Sequence, residues 1–68
     1  MITYKQYYIQ RLEHGHSRWV ARITRTDGQN IRTILPASEH RYLDTRPTPS
    51  AEEAERLAKE GIDFGGVV

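Results

Sequence analysis

Two histidines in a short turn are the first residues that could do chemistry. His14 and His16 flank Gly15, a spacing that could place two imidazoles beside one metal ion. Tetrahedral zinc sites need three or four ligands, and Glu13 is the only further candidate next to them, with His40 or Glu39 far along the chain. The chain has no cysteine, which excludes thiolate metal sites. We therefore predict exposed turn histidines and no metal.

A nucleophile and a base could come from Ser17 or Ser38 together with His40. Neither serine lies in the Gly-x-Ser-x-Gly pattern that exposes a catalytic hydroxyl on a sharp turn. The sequence contains no glycine-rich phosphate-loop motif. Gly28 follows Asp27, and this pair is typical of a hairpin turn. Glu52, Glu53 and Glu55 stand where a helix begins, and acidic residues are common there. The sequence predicts a protein that is not an enzyme and has no cofactor or small-molecule substrate.

Arginines offer a clearer chemical signal. Residues 18–25 read Arg-Trp-Val-Ala-Arg-Ile-Thr-Arg, and this alternation has the period of two that is typical of a β-strand. Trp19, Ala21 and Ile23 fall on one side, which we expect to face the core because a small domain buries its largest apolar side chain. Arg18 and Arg22 then fall on the other side and are available to a partner.

The charge is unevenly distributed along the chain. Residues 1–46 contain eight Lys or Arg and four Asp or Glu, giving +4, whereas residues 47–68 contain two and five, giving −3. The sum is the overall +1. The alternatives are a basic binding surface in the first part, or two parts that attract each other and are otherwise solvated.

Strand and helix signals position these arginines. Strands are predicted at about 3–12, 18–26 and 30–35, with Tyr7 and Ile9 inward in the first, and Asp27-Gly28 is a strong hairpin signal between the second and third. A helix is predicted at about 50–60, capped by Ser50 with Glu53 three residues on, or by Thr48 before Pro49. Gly61 is expected to end the helix.

These elements predict one small α+β domain over residues 1–68, a β-β-β-α fold. Its core is a three-stranded antiparallel sheet, a meander, with one C-terminal α-helix packed on one face. Residues 36–47 stay open, since Tyr42 and Leu43 could extend the sheet or cover its edge. Ile62 and Phe64 are expected under the sheet edge. The predicted core is Trp19, Ile23, Ile31, Leu35, Ala54, Leu57 and Ala58.

The run Arg18-Trp19-Val20-Ala21-Arg22-Ile23, a third strand and the alanine-rich helix around Ala54 and Ala58 resemble two sets of DNA-binding domains. These are the plant ethylene-response-factor domain and the arm-type domain of tyrosine recombinases. The resemblance implies that a three-stranded sheet lies in the major groove, with Arg22, Thr24 and Arg32 facing the DNA. The chain also resembles small uncharacterised bacterial proteins of the same layout, which imply no activity.

Two functions remain open from the sequence. One is binding of double-stranded DNA through the basic sheet face. The other is a protein-interaction module or homodimer using the same face, because tyrosine and arginine are typical of interface hot spots. The candidate partner-binding residues are Arg18, Arg22, Thr24, Arg32, Arg11 and Tyr8. Residues 1–20 lack an apolar signal segment and no run is long enough to span a membrane, so we expect a cytoplasmic protein.

Overall fold

Short antiparallel strands and one helix make up the structure, a computed structural model that describes residues 1–34 and 36–67. The elements are β1 (Ile2–Tyr4), β2 (Tyr7–Glu13), β3 (Trp19–Arg25), β4 (Ile31–Ile34), β5 (Ala37–His40), β6 (Leu43–Asp44) and α1 (Ala51–Asp63). One sheet has the order β1-β2-β3-β6, and β4 and β5 pair separately. The predicted α+β class, with an antiparallel sheet and one C-terminal helix packed on it, is confirmed. Within residues 1–34 and 36–67, no helix is long and apolar enough to cross a membrane.

The apolar side of the sheet packs against α1. Because directly opposed residues of an antiparallel pair share a face, the Ile9–Ile23 pair places the odd-numbered residues of β2 and β3 on the helix side. The buried cluster consists of Ile9, Ala21, Ile23, Ile31, Ala54, Ala58 and Ile62. The inward orientation predicted for Ile9 and Tyr7 is confirmed, since Ile9 is fully buried and Tyr7 packs against the cluster.

Four of the predicted core residues, Ile23, Ile31, Ala54 and Ala58, are in the buried cluster. Trp19, the first residue of β3, is only half-buried and packs against the border of this cluster. Leu57 is also half-buried. Leu35 lies outside the described residues.

The strand predicted over residues 3–12 is two strands, and the single-strand prediction is wrong. The chain reverses at Lys5 and Gln6, so that Tyr4 opposes Tyr7, and Lys5 has a positive φ of 56°. Such a backbone conformation is uncommon for a residue with a Cβ atom, and no glycine or asparagine signals the turn. A distant contact holds it, because the Lys5 ammonium donates to Asp63 at the end of α1.

The strand predicted third does not join the sheet, so the three-stranded meander is wrong in this detail. The turn at Asp27 and Gly28 does form: Gly28 has a φ of 78°, and Asp27 Oδ1 accepts the Gln29 N–H at 3.0 Å. The chain then diverges, because β6 occupies the edge of β3 that β4 would need, with Ile23 opposite Leu43. Residues 43–44 therefore extend the sheet, one of the two alternatives left open.

Ser50 caps α1 as predicted, since its side chain accepts the Glu53 N–H at 3.2 Å. The predicted end at Gly61 is wrong, because α1 runs on to Asp63 and brings Ile62 into the core. Gly65, with a φ of 74°, follows the C-cap residue Phe64. Phe64 was expected under the sheet edge, but this expectation is wrong, because Phe64 is 85% exposed.

The β1–β2 turn is tied to the end of α1 by Asp63, whose carboxylate accepts the Tyr4 hydroxyl at 2.7 Å and the Lys5 ammonium. These hydrogen bonds, first from Lys5 and then from Tyr4, lower the pKa of Asp63 below its usual value. A depressed pKa means that the folded state favours the ionised carboxyl, so its contribution to stability is present above the unfolded pKa of about 4. That contribution is lost as the pH falls through the lowered pKa.

We therefore expect Asp63→Asn to reduce the free energy of unfolding at neutral pH and to have little effect at the acid end, where the native carboxyl is protonated as well. Urea denaturation curves of both proteins across the acid range measure this difference. Glu13→Gln, measured at low protein concentration, is the control, because Glu13 has no ion-pair partner within the chain among the described residues. A constant difference at every pH would contradict the assignment to Asp63.

Candidate binding surface

Helix α1 packs on one side of the four-stranded sheet, and no helix of the described residues lies on the other side. The cross-strand pairs Tyr8–Thr24, Gln10–Arg22 and Leu12–Val20 lie on the side opposite the buried Ile9–Ile23 pair. We call this surface the helix-free face, and it consists of Thr3, Tyr8, Gln10, Leu12, Val20, Arg22, Thr24 and Asp44, together with Tyr42, whose ring contacts Arg22. Of the predicted partner-binding residues, it brings together Tyr8, Arg22 and Thr24.

Arg22 is the centre of the helix-free face and is held on two sides. Its Nε and Nη2 atoms donate to the two carboxylate oxygens of Asp44, at 2.8 and 3.1 Å. Its guanidinium carbon lies 3.9 Å from the ring centroid of Tyr42, a distance at which the cation is attracted to the aromatic face. The hydrogen bonds to Asp44 raise the pKa of Arg22. A fixed, fork-shaped donor group with an aromatic support results.

The helix-free face is neutral and partly apolar. Arg22 and Asp44 are its charged residues and cancel each other. Tyr42 is 47% exposed and Tyr8 36% exposed, and Leu12 is half-buried. Val20 is 5% exposed although it lies on the side away from α1. The surface therefore offers aromatic and aliphatic area around one internally neutralised ion pair.

Arg32 does not lie on the helix-free face, so its predicted position on the same sheet face as Arg22 is wrong. Arg11, another candidate partner-binding residue, also lies outside this face. Arg32 is on the separate β4–β5 hairpin and donates to Glu39 at 3.2 Å. Arg11 lies opposite Ala21 on the helix side, where its Nη2 donates to Glu55 at 2.6 Å. The cause is topological, because Arg32 left the sheet with β4 and the odd-numbered Arg11 follows Ile9 inward.

Arg18 lies in the turn before β3 and is exposed. Its carbonyl oxygen accepts the His14 N–H at 2.7 Å, which closes the connection between β2 and β3. A shallow hollow beside it is lined by Ser17, Pro47, Thr48 and Pro49. Arg18 precedes β3, and Arg32 lies on the β4–β5 hairpin, so Arg22 is the one of these three arginines that lies within the paired strands of the helix-free face.

The structure does bring Ser38 and His40 together. Ser38 Oγ and His40 Nε2 are 2.5 Å apart on β5, because residues two apart in a strand share a face. Among the described residues no carboxylate orients the other ring nitrogen of His40 by a hydrogen bond, so the pair lacks the third group of a catalytic triad. No group of three metal-ligand side chains occurs in residues 1–34 and 36–67.

Tyr42 and Asp44 are the residues of this surface that the sequence analysis missed. Their only signal was the sequence Arg41-Tyr42-Leu43, which could have extended the sheet. A two-residue strand such as β6 is too short to show an alternating pattern. Comparison of the chain with known protein families, with curated proteins and with solved structures finds no match.

Proposed function

We propose that the protein is a non-enzymatic protein-interaction module that binds a partner protein through the helix-free face. The observation that carries this proposal is the central group of Arg22, Tyr42 and Asp44, in which the arginine is stacked at 3.9 Å and doubly hydrogen-bonded. Arginine and tyrosine are enriched among residues that dominate interface energies. Side chains that are already fixed lose less entropy when a partner binds.

Charge determines the chemistry of the partner. Because Arg22 and Asp44 neutralise each other, a strongly charged ligand would gain little from the helix-free face and would have to separate the pair. The complementary surface is an uncharged, apolar protein segment that packs on Tyr8, Tyr42 and Leu12 and accepts hydrogen bonds at its rim. Such composition matches the core of a typical protein interface, where charged residues are depleted.

The ion pairs favour a protein over duplex DNA as the partner. Affinity for DNA comes largely from lysines and arginines that neutralise phosphates and release counterions. Here Arg22, Arg25 and Arg32 each donate to a carboxylate, on Asp44, Asp27 and Glu39. Arg11 also donates to an acidic residue, Glu55, on the helix side. These pairs reduce the positive potential that a phosphate backbone would meet.

The test uses two probes on the intact chain. One is a library of random peptides displayed on phage and selected on the immobilised protein, and the other is a fluorescently labelled DNA duplex titrated at low and high salt. We expect selected peptides that are uncharged and apolar, and no saturable binding of the duplex. Arg22→Ala and Tyr42→Ala should each lower the affinity for the selected peptides about tenfold or more, as expected for interface hot spots.

Arg32→Ala is the matched control, because it also removes an ion-paired arginine, but from the β4–β5 hairpin. It should leave peptide binding unchanged, and circular dichroism checks that all three variants are folded. Peptides that bind the Tyr42→Ala variant equally well would contradict the proposed surface. Duplex binding that falls steeply with salt and is lost in Arg22→Ala would instead establish the DNA-binding alternative.

A further inference from the structure

The outer edge of β2 is only partly covered. β1 pairs with Tyr7, Tyr8 and Ile9, whereas β3 pairs with the whole strand up to Glu13. Residues 10–13 therefore have a strand on one side and, among the described residues, none on the other. A hollow of about 540 Å³ lined by Met1, Ile2, Ile9, Gln10 and Arg11 lies beside the first residue of β1.

Hydrogen bonds at the two ends of β2 show which backbone groups point outward. The Gln6 carbonyl accepts the Thr26 N–H at 3.1 Å, and the His14 N–H donates to the Arg18 carbonyl at 2.7 Å. Gln6 and His14 flank β2 on either side, both are even-numbered, and both hydrogen bonds point toward β3. Since backbone groups alternate along an antiparallel strand, the N–H and C=O groups of Arg11 and Glu13 point to the uncovered edge.

We propose that a second copy of this chain pairs with this edge, antiparallel and symmetric about Leu12. Leu12 then lies opposite Leu12 of the second copy as a non-hydrogen-bonded pair, in which side chains approach closely. Arg11 lies opposite Glu13 of the second copy, and each of these pairs exchanges both N–H···O bonds. The register satisfies the outward-pointing groups of Arg11 and Glu13 on both copies.

Charge complementarity selects a second copy over an unrelated strand. In this register Arg11 and Glu13 of opposite copies are directly opposed on the helix side, and oppositely charged cross-strand pairs are stabilising. Glu13 is exposed and has no ion-pair partner among the described residues. Arg11 donates to Glu55 through Nε and Nη2, which leaves its Nη1 atom, 3.9 Å from Glu52, to meet Glu13 of the second copy. Both side chains can therefore form the new pair.

The pairing is short, which sets its strength. β1 already occupies the edge at Tyr7–Ile9 and β2 ends at Glu13, so the ladder comprises residues 11–13. Met1 precedes β1 and is 81% exposed, so its side chain can change conformation to make room for the second copy. A small contact of this kind is typical of a weak, concentration-dependent dimer. The dimer would place both helix-free faces on the same side of one continuous sheet.

Amide hydrogen exchange of the full chain at high and at low concentration tests the proposal, alongside sedimentation velocity. The Gln10 and Leu12 amides should be protected at both concentrations, because they bond to β3. Those of Arg11 and Glu13 should be protected only at high concentration, where sedimentation detects dimer. Equal exchange of Arg11 and Glu13 at both concentrations would overturn the proposal, even if a dimer forms through another surface.

A charge exchange provides the second test. Glu13→Lys places like charges opposite each other twice and should weaken the dimer about tenfold, and Arg11→Glu should do the same. An equimolar mixture of the two variants restores both opposite-charge pairs and should recover the native affinity. Glu60→Lys is the control, because it makes the same charge reversal on α1, outside the paired edge, and it should have no effect on dimerisation. If the mixture does not associate more strongly than either variant alone, the register is wrong. The outcome is independent of the peptide selection, which tests the helix-free face.

Discussion

Replacement of Ile9 with alanine is expected to lower the free energy of unfolding by about 3 kcal/mol, the middle of the range for truncating a buried isoleucine. Ile9 is fully buried and lies opposite Ile23 in the centre of the sheet, where α1 packs on both strands. A chain of this size buries only about 60% of the surface that its unfolded form exposes, less than a larger domain does, and has little stability in reserve. The variant should therefore be partly unfolded at room temperature.

Urea denaturation followed by circular dichroism measures the loss, and Ile34→Ala is the matched control. Ile34 is 56% exposed on β4, so the same truncation there removes few contacts and leaves no cavity. The expected change for Ile34 is well under 1 kcal/mol, as for most surface substitutions. Equal losses at the two positions would show that Ile9 is not at the centre of the core.

Enlarging Ala58 to leucine is expected to destabilise the fold by about 2 kcal/mol, because extra methylene groups in a packed interior force side chains or backbone to move. Ala58 is 1% exposed and Ala54 is fully buried, so the small residues of α1 let the helix lie close against the sheet. Leucine is a good helix former, so a loss of stability cannot come from helix propensity.

Thermal unfolding of Ala58→Leu beside Ala37→Leu measures this effect. Ala37 is exposed on the β4–β5 hairpin, where a larger side chain extends into solvent. We expect a lower melting temperature for the Ala58 variant and little change for the Ala37 variant. A more stable Ala58→Leu protein would mean that a space is left between α1 and β3.

The burial of Trp19 illustrates a limit of the sequence analysis. Its size suggested the centre of the core, yet it is half-buried at the border of the cluster. The central positions are taken by Ile9 and Ile31. Period two correctly indicates the side on which a residue lies, but burial along a strand depends on where the helix crosses it, and no local pattern records that crossing.

The candidate surface shows the same limit. The placement of Arg22 away from the core followed from the alternation in residues 18–25 and is correct. Its partners are Asp44 in β6, which is 22 residues away along the chain, and Tyr42 just before β6. The ion pair neutralises the charge of Arg22, and the alternation in residues 18–25 carries no information about this contact.

Local interactions alone determined several features of this protein. The start of α1 follows from the Ser50 hydroxyl and the nearby Glu53 N–H, and the inward side of β3 follows from its alternating residues. Each depends on groups within a few residues, so the sequence pattern contains all the relevant physics. The antiparallel α+β class follows from the order of such segments.

Tertiary structure alone decided which segments pair. Either β4 or β6 could pair with the free edge of β3. In the structure β6 pairs there, and the adjoining Thr45 N–H donates to the Ala21 carbonyl at 3.0 Å. The Lys5 turn depends in the same way on Asp63, 58 residues away. Edge pairing joins distant parts of the chain through backbone groups that every residue carries, so the side-chain pattern does not specify it.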